Sequence, residues 1–322
     1  MNSNRSATIE VPPPERIPAL PRPPSIHVPV LSDEVVRWMA PAPGAVLVDG
    51  TLGGGGHTRA LAERVAPGGT VIALDRDPAA VDAACQTLAH LPVVAVHASF
   101  AELPEVLAEF DVADIDGVLL DLGLSSDQLA DPQRGFSFDA EGPLDLRFDP
   151  SAGEPAWRLL DRLSAVHLAD VIYQYGEERY SRRIARAVVE RRQQGRPVRT
   201  AADLAALVRR CIPRRGRHDR IDPATRTFQA LRIAVNDELK ALEVALRRIP
   251  TCLREGGRLA VISFHSLEDR RVKAAFRDDP RWRVLTKRPV RPAEDEIGRN
   301  PRARSAKLRV ADRRPSPPDF PL

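Results

Sequence analysis

The chain has 322 residues, of which 43% are hydrophobic, and this length and composition suit a globular protein with one large core or two domains. No apolar run approaches the roughly 18 residues of a membrane span, and the N-terminus lacks the pattern of a signal peptide, so we expect a cytoplasmic protein without membrane contact. The net charge of +4 indicates no partner by itself, and the widely spaced Cys85, Cys211 and Cys252 argue against a disulfide framework or a metal site.

The N-terminal segment 1–25 contains seven prolines and few large apolar side chains, a composition that cannot bury enough surface to become ordered. We therefore predict a disordered, Pro-rich tail. From Val46 onward, short aliphatic runs alternate with amphipathic segments, which is typical of an α/β fold with helices on both faces of a parallel sheet. The first four predicted strands are AVLVDG at 45, TVIALDRD at 70, VVAVHAS at 93 and GVLLDLG at 117.

After Gln128 the pattern changes to loops and helices, with no strand candidate. Between Arg158 and Arg220 there are 16 arginines, no lysines and seven acidic residues, a local net charge of +9. Arginine outnumbers lysine throughout the chain, so a coding bias can explain the choice of arginine but not the local imbalance. The sequence predicts an Arg-rich helical insert at 129–222. Its helical segments are SAVHLADVIYQYG at 164, SRRIARAVVERRQQ at 181 and TAADLAALVRRC at 200.

The strand pattern returns after the insert. GGRLAVISF at 256 is followed by a helix from Ser266, then by WRVLTK at 282 and AKLRVA at 306, both predicted strands. The simplest organisation is one α/β domain, formed by 26–128 and 223–322, that the helical insert interrupts.

A glycine-rich loop follows the first predicted strand, in VLVDGTLGGGGHT from Val46 to Thr58. Glycines let the backbone approach a ligand closely, and the N-terminus of the next helix offers N–H groups to a carboxylate or phosphate. The second strand ends in Asp75, 22 residues after Gly53, where nucleotide-binding sheets place an acid that binds ribose hydroxyls. The alternatives are an ordinary turn and a solvated acidic strand end.

Both features would also suit a dinucleotide-binding dehydrogenase. However, a G-x-G-x-x-G pattern begun at Gly53 has Thr58 in place of its third glycine. The fourth strand leads into DLGLSSDQ, from Asp121 to Gln128, which puts a carboxylate and polar side chains at the carboxyl end of the sheet, where ligands bind. This arrangement favours a methyltransferase over a dehydrogenase.

Ten segments in order from His27 to Arg309 make the chain similar to the bacterial 16S ribosomal RNA (cytosine-N4)-methyltransferase family, also called MraW. The resemblance implies a class I (Rossmann-like) methyltransferase sheet with an inserted α-helical domain. It also implies that S-adenosylmethionine supplies the methyl group and that the target is the N4 amine of a cytidine in the decoding centre of the small ribosomal subunit. The segments are HVPVL at 27, DGTLGGGGHT at 49, DRDP at 75, DGVLLDLGLSSDQL at 116, RGFSF at 134, GPLDLRFDP at 142, YGEERYSRRIARAVV at 175, TRTFQALRIAVNDEL at 225, SFHSLEDRRVK at 263 and NPRARSAKLR at 300.

The resemblance also assigns a donor site. In this assignment the loop N–H groups hold the methionine carboxylate, Asp75 binds the ribose hydroxyls, Phe100 lies against the adenine, and Asp121 faces the donor's amino group or the incoming base. Phe100 could instead be an ordinary core residue. The residues that the resemblance implies are Gly55, Gly56, His57, Asp75, Phe100, Asp121 and Gln128.

The N4 amine of cytosine is a poor nucleophile because its lone pair is delocalised, so an enzyme must align it and accept hydrogen bonds from it. Asp121 is the first candidate acceptor, and His265 and Asp145 are further candidates; His265 could instead cap the helix that follows it. Other amine methyltransferases have Asp/Asn-Pro-Pro-Tyr where this chain has DLGL at 121, so the residue that holds the target amine stays open. Methylation at C5 would require a thiolate at the carboxyl end of the sheet, and no cysteine lies there in sequence.

A target base in folded RNA must be unstacked before it can react, and the insert is a candidate grip on the RNA phosphates. We select Arg182, Arg183, Arg191 and Arg192 as its phosphate contacts. The alternatives are an RNA-binding assembly factor with a vestigial donor pocket, and a methyltransferase of proteins or small molecules. The sequence does not indicate an oligomeric state.

Overall fold

The computed structural model describes residues 28–213 and 222–315, and the predicted tail at 1–25 lies outside them. No helix in these ranges is long and apolar enough to cross a membrane. The strands are β1 (Val46–Asp49), β2 (Thr70–Asp75), β3 (Val93–His97), β4 (Ile115–Asp121), β5 (Leu253–Ser263), β6 (Trp282–Val284) and β7 (Lys307–Arg313). The helices are α1 (Ser32–Met39), α2 (Gly56–Val65), α3 (Pro78–Thr87), α4 (Leu103–Glu109), α5 (Ser126–Ala130), α6 (Ala156–Arg162), α7 (Ala165–Gly176), α8 (Ser181–Gln193), α9 (Ala201–Cys211), α10 (Thr225–Asn236), α11 (Glu238–Cys252), α12 (Ser266–Asp278) and α13 (Glu294–Arg299).

The seven strands form one sheet in the order β3-β2-β1-β4-β5-β7-β6. Strands β1 to β5 are parallel, as the aliphatic runs predict, whereas β7 pairs antiparallel with both β5 and β6. The predicted α/β class with a Rossmann-like sheet is confirmed, and the antiparallel β7 corrects the expectation of a wholly parallel sheet. The strand order reverses at β1, between β2 and β4. A reversal of this kind opens a crevice at the carboxyl ends of the strands.

Apolar residues alternate between the two faces of the sheet, because successive side chains of a strand point in opposite directions. Val48 and Val261 belong to a core formed with α4, α11 and α12. Their neighbours Leu47 and Ile262 belong to a second core formed with α1 and α2. The sheet is thus covered on both faces.

Helices α6 to α10 share a further core with the loop at 136–146. Helix α10 lies beyond the insert boundary at 222 that the sequence pattern favours, yet Phe228 and Leu231 of α10 are buried in this core. The packing therefore groups α10 with the helices of the insert. The domain limits derived from the sequence stay a prediction.

Asn236, at the end of α10, ties this helical core to the sheet. Its buried side chain donates from Nδ2 to the carbonyl of Leu146 at 2.7 Å and accepts at Oδ1 from the N–H of Phe148 at 2.7 Å. Arg76, which follows β2, donates to the backbone carbonyl of Asn236 at 2.6 Å. Buried polar groups with satisfied partners fix a geometry. The loop that carries Phe148 is thereby held beside the carboxyl end of β2.

Candidate active site

A cavity of about 1130 Å³, partly open to solvent, lies at the carboxyl ends of β1, β2 and β4. It occupies the crevice that the reversal of strand order creates. Six of the seven donor-site residues that the resemblance implies line it: Gly56, His57, Asp75, Phe100, Asp121 and Gln128. Gly55 lies just behind the wall and caps α2 with a φ of 77°.

The glycines of the first loop are required by close approaches. A Cβ on Gly50 would lie 2.5 Å from Leu120 Cδ2 and 2.9 Å from Phe100 Cβ, so a side chain there would displace the side chains of Leu120 and Phe100. A Cβ on Gly56 would lie 3.0 Å from the ring of Pro29. Because α2 starts at Gly56, its first N–H groups have no carbonyl one turn earlier to receive them. This end of the cavity is built to receive an anionic group.

Asp49, at the end of β1, organises the floor. Its Oδ2 accepts from Thr58 Oγ1 at 2.7 Å, and its Oδ1 accepts from the N–H of Thr51 at 3.1 Å. The hydroxyl of Thr51 in turn accepts from the N–H of Asp121 at 2.6 Å. Burial raises the pKa of Asp49, although these hydrogen bonds and His57 oppose the shift. The network joins the end of β1 to the end of β4.

His57 and Asp121 face each other above this floor, with His57 Nε2 3.5 Å from Asp121 Oδ2. The other Asp121 oxygen, Oδ1, and both ring nitrogens of His57 are buried without a hydrogen-bond partner of good geometry. Burial by itself lowers the pKa of His57, but the carboxylates of Asp121 and Asp49 outweigh it and the pKa is raised. Unpartnered buried polar atoms destabilise a fold, so their concentration here marks a place where a ligand completes the hydrogen bonding.

Asp75, at the end of β2, accepts one backbone hydrogen bond on each oxygen. Oδ2 receives the N–H of Gly53 at 2.7 Å and Oδ1 receives that of Asp77 at 2.8 Å. Burial, the largest influence, raises the pKa of the Asp75 carboxyl to about 6 despite these bonds. Each oxygen keeps lone-pair capacity, so the carboxylate can still accept hydroxyl groups from a ligand.

Gln128 is fixed by its neighbours. Its Oε1 accepts from the N–H of Ser125 at 3.1 Å and its Nε2 donates to Asp77 Oδ2 at 3.2 Å. Arg134 pairs with the same Asp77 oxygen at 2.7 Å and also donates to the carbonyl of Phe148 at 2.8 Å. This chain of bonds links the wall of the cavity to the Phe148 loop.

The other two candidate acceptors from the sequence lie outside the cavity lining. Asp145 binds Arg147 through both oxygens, at 2.8 and 2.7 Å. His265 is the N-cap of α12: its Nδ1 accepts from the N–H of Glu268, and its Nε2 lies 3.0 Å from Glu268 Oε1. Both residues have structural partners, and for His265 the geometry matches the alternative role of a helix cap.

Ligand atoms of Glu238, His265 and Glu268 lie within 4.8 Å of one another at the edge of the cavity. Arg232 binds Glu238 through two nitrogens at 2.8 and 2.9 Å, and Glu268 Oε2 accepts the N–H groups of Phe264 and His265. Burial raises the pKa of Glu268 by itself, but His265 and Arg232 reverse the shift and the pKa is lowered. Arg232 and the two backbone N–H groups thus already bind the two carboxylates of this cluster.

The four arginines selected from the sequence divide into two pairs. Arg182 and Arg183 are exposed on α8. Arg191 pairs with Asp203 at 2.8 Å, and Arg192 donates to the carbonyls of Leu160 and Leu163 at 2.9 and 3.0 Å, so it closes the C-terminal end of α6. Arg182 and Arg183 therefore have exposed side chains that can contact RNA, whereas Arg191 and Arg192 already bind groups of the protein itself.

Several cavity residues had no role in the sequence interpretation. Phe148 comes from the loop before α6, Phe264 follows β5, and Asn300 and Arg302 come from the segment before β7. All four lie in the segments that carry the family resemblance, and this resemblance could have indicated a role for them. Nothing in strand or helix periodicity could place them at the cavity.

We predict that the pKa of His57 lies above its usual 6.5 in the wild type and falls below that value in Asp121→Asn. Burial lowers the pKa, and the substitution removes the carboxylate that contributes most to the opposite shift. NMR titration of the His57 imidazole measures this pKa in the wild type and in the variant. The control is Asp145→Asn, whose carboxylate pairs with Arg147 and lies outside the cavity; its His57 should titrate as in the wild type. An unshifted pKa in Asp121→Asn would contradict the proposed pairing.

The chain is similar in sequence to known proteins over most of its length. Residues 24–314 match the MraW methylase family. Ribosomal RNA small subunit methyltransferase H of Rhodopirellula baltica is 52% identical over 299 residues, with 89% of this chain and 91% of the relative covered. The protein of the same name from Thermomicrobium roseum is 48% identical over 307 residues, covering 89% and 93%.

Solved structures show similarity at a greater distance. An rRNA methylase from Streptococcus thermophilus is 11% identical with a TM-score of 0.42, covering 88% of this chain and 94% of its own. A SAM-dependent O-methyltransferase from Thermotoga maritima is 12% identical with a TM-score of 0.41, covering 89% and 66%. The family match and the relatives near 50% identity, both of which span most of the chain, confirm the resemblance found in the sequence: the chain belongs to the MraW methylase family.

Proposed function

We propose that this chain transfers the methyl group of S-adenosylmethionine to the N4 amine of a cytidine in the decoding centre of 16S ribosomal RNA, acting in the cytoplasm on the small ribosomal subunit. The observation that carries the proposal is the buried, unpartnered Oδ1 of Asp121 in a cavity that also contains a glycine loop and the Asp75 carboxylate. Relatives near 50% identity that carry the name of ribosomal RNA small subunit methyltransferase H support the substrate class.

The residues present fit the proposed donor. Gly50 and Gly56 line the cavity without side chains, and the N-terminus of α2 can receive a carboxylate. Asp75 can accept ribose hydroxyls, and the ring of Phe100 offers an apolar face for a purine. When bound, S-adenosylmethionine supplies an electrophilic methyl group on a sulfonium.

The acceptor chemistry requires alignment of the amine and removal of a proton. Asp121 Oδ1 can accept an N–H of the target amine, which turns the nitrogen lone pair towards the methyl group, while Oδ2 stays near His57. After transfer the nitrogen carries one proton too many, and Asp121 Oδ1 can receive it or pass it to solvent. In the proposed mechanism His265 and Asp145 take no part, because their partners hold them outside the cavity.

The state of the cysteines supports N4 as the acceptor rather than C5. Cys211 and Cys252 are buried, and burial raises the pKa of each thiol. Cys85 lies on α3, and none of the three lines the cavity. A C5 reaction needs a thiolate that adds to the ring. Transfer to an amine needs only alignment and a hydrogen-bond acceptor.

The test is turnover on purified small subunits from cells that lack the enzyme, followed by mass spectrometry of nucleosides. N4-methylcytidine should form with the wild type and with a Cys85→Ser, Cys211→Ser, Cys252→Ser variant. Asp121→Ala should lose most of the rate, on the order of a hundredfold or more for a group that acts on the reacting amine. A 5-methylcytidine product would refute the N4 assignment. The absence of any methylated nucleoside would favour the assembly-factor alternative.

We predict that donor affinity decreases below about pH 6. The raised pKa of Asp75 means that the free protein is protonated at this carboxyl below about pH 6, whereas the ionised form accepts ribose hydroxyls more strongly. Binding must then displace a proton, and affinity falls by up to about tenfold per pH unit. Asp75→Ala should bind roughly ten- to a hundredfold more weakly at pH 8 and lose this pH dependence. Calorimetric titration measures both effects, with the exposed Asp82→Ala as control. Wild-type affinity in a folded Asp75→Ala would contradict the assignment.

A second prediction concerns the grip on RNA. Replacement of Arg182 and Arg183 by glutamine should weaken binding to the subunit RNA and reduce the slope of log affinity against log salt by about one to two. The control replaces Arg64 and Arg277, which are exposed outside the insert, and should keep the slope. Arg192→Gln should act mainly on stability, because it leaves the carbonyls at the end of α6 unpaired. An unchanged slope in the Arg182/Arg183 variant would make that face a solvated surface.

A further inference from the structure

The segment before β7 forms one wall of the cavity beside the glycine loop. Asn300 and Arg302 line the cavity on this side, together with Gly53, Gly56 and His57. Asn300 Nδ2 donates to the carbonyl of Val28 at 3.2 Å, and Pro29, next in the chain, packs on Gly56. The N-terminal and C-terminal segments of the described chain therefore meet over the start of α2.

Arg302 is held in place on this wall. Its Nη1 donates to Ser126 Oγ at 2.6 Å, and the next residue, Ala303, is fully buried, so the short 3-10 helix at Pro301–Ser305 is anchored on both sides. Burial lowers the pKa of the Arg302 guanidinium and Asp127 acts in the opposite direction, yet an arginine remains charged. A half-buried, fixed guanidinium at a cavity wall is suited to bidentate binding of a planar anion.

A carboxylate bound near the glycine loop would need a positively charged partner. Asp49, Asp75 and Asp121 are all close to the glycine loop, so the ammonium group of a donor would have acidic partners there while its carboxylate would need a positive one. A helix N-terminus supplies only about half a positive charge. Of the two arginines among the described lining residues, Arg76 is bound to the carbonyl of Asn236 beside Phe148, away from this wall. Arg302 is the other one, and its partner Ser126 follows Ser125, whose Cβ would lie 3.6 Å from a Cβ on Gly53 of the glycine loop.

We infer that Arg302 is a donor-positioning residue, which binds the carboxylate of the methionine portion of the donor opposite the N-terminus of α2. The inference rests on the proposed function, since it concerns the same donor. It adds a charge from the far C-terminal part of the chain to a site otherwise built from the ends of β1, β2 and β4. It also makes the enzyme selective for the carboxylate itself.

The test compares two ligands that differ in this group alone, S-adenosylmethionine and decarboxylated S-adenosylmethionine, by calorimetric titration. The wild type should prefer the first. Arg302→Gln should weaken binding of S-adenosylmethionine by on the order of ten- to a hundredfold and leave the decarboxylated ligand within about twofold, so that the preference disappears. Arg302→Lys should restore part of the preference, because it returns the charge without the fork. The matched control is Arg304→Gln, which removes an exposed guanidinium from the same 3-10 helix.

The decarboxylated ligand also reports whether the variant is folded. An equal loss for both ligands in Arg302→Gln would assign the residue a structural role and overturn the inference. Unchanged affinity of Arg302→Gln for both ligands would also overturn the inference. If this variant at the same time bound the subunit RNA more weakly, Arg302 would instead be assigned to binding of the RNA phosphates. A wild type that binds neither ligand would refute the proposed function rather than the role of Arg302.

Discussion

The reversal of strand order at β1 is the constraint on which the cavity depends. Because β2 and β4 lie on opposite sides of β1, the loops that follow β1 and β4 diverge and no crossover covers the gap. The first loop stays attached to both neighbours: Gly50 donates to the carbonyl of Leu119 at 2.8 Å, and Leu52 donates to that of Leu74 at 2.9 Å. This double attachment fixes the start of the loop between β2 and β4.

The helical core is coupled to this floor by polar bonds rather than by apolar packing alone. Asp77, just after β2, receives both Gln128 and Arg134, and Arg134 continues to the carbonyl of Phe148. Asn236 holds the same loop from the side of α10. Hydrogen bonds of this kind are directional, so they set the position of the Phe148 ring relative to the donor side of the cavity. A shift of the helices would therefore change the shape of the site.

The parallel strands were predictable from their aliphatic runs, and a strand end places its next residues at a known edge of the sheet, whereas Gly55, Gly56, His57, Phe100 and Gln128 were selected through the family resemblance. Asp75 and Asp121 follow directly from this rule. The role of Arg302 was not predictable, since its contact with Ser126 joins residues 176 positions apart and no periodicity encodes it. Arg192 shows a different limit: its charge suggested RNA, but the packing of α8 beside the end of α6 gives it three carbonyl partners. Local composition cannot distinguish an arginine that binds RNA from one that binds backbone carbonyls of its own chain.

Burial and neighbouring carboxylates together shift the pKa values of the ionisable groups at the cavity. The pKa values of Asp49 and Asp75 are raised mainly by burial, and that of His57 is raised by Asp121 and Asp49 against the effect of burial. Burial hinders the ionisation of the two acids whatever charge surrounds them, whereas the shift at His57 reports a region of negative potential made by its neighbouring carboxylates. Such a region stabilises a cationic sulfonium more than a neutral thioether. On the proposed reaction, the positive charge that this region attracts is lost when the methyl group is transferred.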